Sequence, residues 1–166
     1  NQNKVNKFTG KIELQYDLIE DLKVTSRFGY TYVDIYDKSF VPLQFYGIGH
    51  NQTNSEPDLS PIVSIDSEGN STSTHNRVTE SHTNYFTYTY ELYGNYDFSV
   101  NDLHNFQTVA GFSIGESKGG NISATNEDVP FNSWAYADVS AATGNALQQT
   151  SGSWQYVNRN LSYFSR

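Results

Sequence analysis

The residues able to do chemistry are few and badly spaced for it. The chain has 4 histidines and no cysteine. His50, His75, His82 and His104 never fall at the His-x-x-x-His interval that turns two imidazoles onto one metal. Without cysteine there are no thiolate metal sites, no disulfide framework and no thiol nucleophile. Glu13 with Asp17, and Glu91 with Asp97, are the carboxylate pairs that could share acid–base work. All four sit at odd positions of alternating segments, where a side chain lines one face of a sheet and needs no catalytic role. Asp66, Glu68 and Asn70 begin like a calcium loop, but the twelve-residue pattern is not completed, and Asn126-Glu127-Asp128 is equally short. No nucleophile elbow and no phosphate-cradling glycine loop occurs. The expectation is a protein that is not an enzyme, with no cofactor and no metal.

Binding chemistry is better represented. One set is polar and belongs to alternating segments: Lys11, Glu13, Gln15, Arg27, Glu91, Asn95 and Gln107. The other is aromatic and lies in stretches without alternation: Phe45, Tyr46, Trp134, Tyr136 and Trp154. Such rings stack on sugar rings or peptide side chains, or pack loops together. From the two sets, Arg27, Glu91, Gln107, Tyr46, Trp134 and Trp154 are the candidate ligand-binding residues. Net charge is -8, with 18 acidic against 10 basic residues and no Lys/Arg run, which disfavours nucleic acid as a partner.

The elements that must position these groups are strands. Ile12, Leu14, Tyr16 and Leu18 alternate with Lys11, Glu13, Gln15 and Asp17. After a turn at Ile19-Glu20-Asp21, a second arm sets Leu22, Val24, Phe28, Tyr30 and Tyr32 against Lys23, Thr25, Arg27, Gly29 and Thr31. A second hairpin joins Tyr85–Val100 to Leu103–Gly115, with Phe86, Tyr88, Tyr90, Leu92, Tyr96 and Phe98 on one face. Residues 1–8 read as the end of a loop. Residues 35–83 hold three of the 4 prolines and residues 116–158 are largely polar, so both read as long loops. Within them, Phe40–Phe45 and Ile62–Ile65 are candidates for local pairing, with Glu68-Gly69-Asn70 turning the chain. Asp138–Leu147 is a weak helix candidate. A further strand begins at Asn160.

Long alternating strands whose apolar face is built of rings, with short turns at one end and long loops at the other, are what an outer-membrane barrel shows. The fold expected is therefore all-β: an antiparallel transmembrane β-barrel segment of about five strands, with short periplasmic turns and long extracellular loops at about 35–83 and 116–158. Five strands cannot close a lipid-spanning barrel, so the chain would be one arc of a larger one.

Three stretches carry a family resemblance. Leu22-Lys23-Val24-Thr25-Ser26-Arg27-Phe28-Gly29-Tyr30-Thr31-Tyr32 resembles an "L-x-x-x-x-x-F-G-Y-x-Y" arm. Leu103–Ser113 is similar to an "H-x-L-x-x-L-x-G-F-S" strand, and Leu161-Ser162-Tyr163-Phe164-Ser165-Arg166 to a recurrent "S-Y-F-G-R", with Ser165 in place of the glycine. The family is the SusC/RagA group of TonB-linked outer-membrane transporters. That resemblance implies uptake of a bulky nutrient such as an oligosaccharide or peptide at the cell outer membrane. It also implies as partners a SusD-like surface lipoprotein, TonB through parts outside this chain, the remainder of the barrel and outer-membrane lipid. No plug domain is visible in these residues. The alternative is a secreted or surface all-β module, carbohydrate-binding or adhesive.

Overall fold

A computed structural model describes residues 1–43, 63–65, 71–73, 75–101 and 104–166. Among these residues seven strands form: β1 (Gln2–Ile19), β2 (Leu22–Val41), β3 (Val63–Ile65), β4 (Ser71–Ser73), β5 (Arg77–Val100), β6 (His104–Glu127) and β7 (Thr150–Ser165). Five of them make one sheet in the order β1-β2-β5-β6-β7, and β3 pairs antiparallel with β4, Val63 opposite Ser73. The β5–β6 turn puts Asn101 at φ 57°, a left-handed conformation that asparagine tolerates better than most residues.

The sheet is open. Among the described residues β1 pairs only with β2 and β7 only with β6, so the two ends of the sheet do not meet. The expected transmembrane barrel segment is corrected to an open antiparallel sheet, because a barrel requires its first and last strands to be hydrogen-bonded neighbours. Phe86, Tyr88, Tyr90 and Phe98 are half-buried against other rings. Phe28 meets Tyr88 at 6.1 Å, Tyr90 meets Phe112 at 6.2 Å, and Phe98 stacks on Phe106 at 5.1 Å.

The strands run further than alternation alone indicated. β1 starts at Gln2, β2 continues to Val41, β5 begins at Arg77 and β6 extends to Glu127, so much of both expected loops is strand. Ile62–Ile65 pairs as expected in part, through Val63–Ile65 with Ser71–Ser73. The expected turn at Glu68-Gly69-Asn70 lies outside the described residues, as do positions 44 and 45 of Phe40–Phe45, whose first two residues end β2. Asp138–Leu147 contains no helix; two single-turn 3-10 helices form instead at Pro130–Asn132 and Trp134–Tyr136. Gly144 lies inside the expected helix, and its N–H is taken by the Glu127 carbonyl at 2.9 Å, a turn contact rather than a helical one.

By contacts the chain divides into two compact units. One comprises Asn1–Asn3, Tyr36–Ser81 and Ile122–Gly152. Its core is small: Val78, Val129 and Ala137 are buried, with Phe40, Val139 and Ala142 packed around them. Two buried asparagines hold its loop by acting as peptide groups. The Asn76 amide donates to the Val129 carbonyl at 2.9 Å and its oxygen accepts from the Val129 N–H at 2.6 Å. Asn126 donates to the carbonyls of Ala142 and Val139 at 3.0 and 3.3 Å. A loop without regular structure must satisfy its buried backbone groups somehow, and these amides do so. The other unit comprises Lys4–Ile35, His82–Asn121 and Ser153–Arg166, and carries the polar face described next.

Candidate functional site

Period two puts Arg27 on the polar face of β2, between β1 and β5, and the neighbours supply its partners. Arg27 Nε donates to Glu13 at 3.0 Å, Nη1 to Glu91 at 3.1 Å and Nη2 to the Tyr93 hydroxyl at 3.3 Å. The guanidinium also lies 5.8 Å from the Tyr93 ring centre. Lys11 reaches the same Glu13 carboxylate at 3.0 Å. Hydrogen bonds from Lys11 and then Arg27 hold the Glu13 carboxyl below its ordinary range, and the bond to Glu13 raises the Arg27 guanidinium above its own. Two cations face two carboxylates, so the cluster is neutral in sum.

Beside this cluster lies a depression of about 420 Å³. It is lined by Thr9, Thr31, Thr87 and Thr89, by Tyr30 and Tyr88 with Gly10 and Gly29, and by Lys11, Arg27 and Glu91. Gly29 leaves it open: an added Cβ would find nothing nearer than the Gly10 carbonyl at 3.9 Å. Thr9 and Thr31 share a hydrogen bond at 3.3 Å. Thr87 donates to Ser117 at 3.2 Å, and Ser117 meets the Tyr156 hydroxyl at 3.4 Å. That chain of hydroxyls leads from the depression to a group of rings.

The rings are Tyr85, Trp154 and Tyr156. Trp154 stacks on Tyr156 with centroids 6.0 Å apart and planes 18° apart, and Tyr85 tilts against Trp154, also at 6.0 Å. They close over Gly119, where a Cβ would come within 2.7 Å of both Tyr156 and Tyr85. Trp154 keeps 44% of its surface exposed. The Asn121 amide, held by Thr83 at 2.7 Å, lies on the next row.

The six residues singled out by sequence thus part company. Arg27 and Glu91 meet in the ion cluster, and Trp154 belongs to the ring group in the same unit. Gln107 lines a different, carboxylate-rich depression with Asp17, Asp21, Asn95 and Asp97. Trp134 is in the other unit, its ring 5.8 Å from Lys38, which pairs with Glu80 at 3.2 Å. Tyr46 lies outside the described residues. Tyr85 and Tyr156 were missed as site residues. The signal for Tyr156 was the alternation Ser153-Trp154-Gln155-Tyr156-Val157, masked because residues 116–158 were read as loop.

No protein-family model matches the chain, and no curated protein matches it. The resemblance to SusC/RagA transporters is therefore corrected: neither a family match nor a closed barrel supports it. Transporter function and placement in the cell outer membrane rested on that resemblance and that barrel, and are withdrawn with them. Among the described residues no helix is long and apolar enough to cross a membrane, and no group of three or more His, Asp or Glu is placed to hold a metal ion.

Proposed function

We propose that this chain is a carbohydrate-binding module of the secreted or surface all-β kind, which binds without catalysis through the polar face of its sheet. The observation that carries the reading is the half-exposed Trp154–Tyr156 stack, seated over Gly119 and continued by hydroxyls toward the threonine-walled depression. A sugar ring offers an apolar C–H face and a rim of hydroxyls. Flat rings match the first, and fixed threonine, serine and asparagine groups match the second. The charge balance refines the ligand. Both cations of the cluster are already answered by Glu13 and Glu91, so an acidic sugar would have to displace a carboxylate, whereas a neutral one would not.

Tryptophan fluorescence tests this directly, because the chain has 2 Trp. With Trp134→Phe in place, Trp154 is the sole indole, and titration with neutral oligosaccharides is expected to shift its emission. Trp154→Ala is expected to abolish binding measured by calorimetry while leaving the far-ultraviolet circular dichroism unchanged. No heat and no emission change across neutral and acidic glycans would refute the proposal.

A further inference from the structure

The second question is what covers the edge of the sheet. β1 is 18 residues long, contains no proline, and pairs on one side only among the described residues. Its apolar row is well exposed, Ile12 at 61%, Leu14 at 67% and Tyr16 at 70%. A long, proline-free edge of this kind templates the pairing of another strand, and its charges, Lys4, Lys7, Lys11, Glu13 and Asp17, restrict which strand can pair with it. The other edge, β7, has a single charged residue, Arg159, which is already bound to Glu116 at 2.6 Å.

β1 is complementary to itself. Set antiparallel to a second β1 with Ile12 opposite the partner's Ile12, every opposed pair of residue numbers has the same sum as 12 and 12, as antiparallel register requires. Lys7 then stands opposite the partner's Asp17, and Lys11, bound to its own Glu13 at 3.0 Å, stands opposite the partner's Glu13, each pair occurring twice. On the other face Phe8 meets the partner's Tyr16, and Leu14 meets the partner's Gly10. Neighbouring registers that preserve the faces do worse: one sets Lys11 against itself, the other Glu13 against itself. A shift that reverses the faces sets polar residues against apolar ones. Lys7 has no ion pair among the described residues, and Asp17 has only Lys23 at 3.8 Å, so both are available.

We propose that β1 pairs with β1 of a second copy of this chain in that register, forming a two-fold dimer with a continuous sheet. Such an isologous contact closes on itself and does not propagate into a fibre. Because Lys11 also borders the threonine-walled depression, the two-fold sets two such depressions side by side. The dimer is tested without any sugar, so its failure and that of the carbohydrate reading are separable.

Sedimentation equilibrium should show a dimer at micromolar concentration. Ile12→Cys, in a chain with no native cysteine, should be joined to the partner's by a short bis-maleimide that adds across both thiols, because directly opposed strand residues have Cβ atoms about 5 Å apart. Leu161→Cys on β7 should not. Lys7→Asp and Asp17→Lys should each weaken dimerisation roughly tenfold, and the double exchange should restore it. A monomer at all concentrations, cross-linking through Leu161→Cys instead of Ile12→Cys, or a double exchange as weak as the single ones would each overturn the proposal.

Discussion

Replacing Gly119 by alanine probes the ring group where it is tightest. The new Cβ would lie 2.7 Å from Tyr156 Cε1 and from Tyr85 Cδ1, and 3.1 Å from the Asn84 carbonyl. Ordinary carbon contacts are about 3.5–4.0 Å, so each ring must retreat by roughly 1 Å. Both rings are edges of the pairs made with Trp154, so neither can retreat without loosening a ring contact. Overpacking of this kind costs about 1–3 kcal/mol, and each loosened ring pair up to about 1 kcal/mol more. Removing a glycine from a strand interior returns about 0.5–1 kcal/mol. The expected net loss is about 2 kcal/mol. Gly29→Ala is the control, since its Cβ makes only an ordinary contact with the Gly10 carbonyl at 3.9 Å and the glycine gain remains, about 0.5–1 kcal/mol of stabilisation. Urea denaturation followed by circular dichroism compares the two, and a shift in midpoint at constant slope isolates stability. If Gly119→Ala proves as stable as Gly29→Ala, the rings do not close over Gly119 and the proposed sugar platform loses its footing.

Three further predictions follow from contacts elsewhere. Asn76→Ala strips partners from the buried N–H and carbonyl of Val129, and should cost about 2–4 kcal/mol in the same denaturation assay. His75 is raised above its ordinary 6.5 by its bond to Asp128, so its contribution to stability is complete below pH 6.5 and disappears as pH rises through the raised value; denaturation midpoints of wild type and His75→Gln should converge at alkaline pH. Glu13 is held below its ordinary 4.5, first by Lys11 and then by Arg27, so its contribution is complete above pH 4.5 and vanishes as pH falls through the lower folded value. In Arg27→Ala the carboxyl resonance of Glu13 should titrate at a higher pH than in wild type, though still influenced by Lys11; an unchanged titration would show that Arg27 does not hold it.

Alternation was a sound guide to which residues share a face, because side-chain period in a strand is fixed by geometry. It placed Glu13, Arg27 and Glu91 on one face, and they meet there. It was a poor guide to strand ends. Lys38, Ser39, Thr79 and Ser123 are strand residues without an apolar alternation, held by cross-strand polar bonds such as Thr79–Thr125 at 2.8 Å. It gave no means of deciding whether the sheet closes on itself, since the same alternation builds an open sheet and a barrel, and the barrel inference failed at that point. The Asn76 and Asn126 anchors were illegible for a different reason. An asparagine that replaces a peptide partner looks, in sequence, like any polar loop residue.

The ion-paired cluster around Arg27 has one more consequence. At neutral pH it is electrically silent, and the acidity of the chain as a whole is expressed elsewhere on the molecule. As acid neutralises Glu13, Lys11 and Arg27 are left without that counter-charge. The cluster then carries a net positive charge, and its preference moves from uncharged to anionic surroundings.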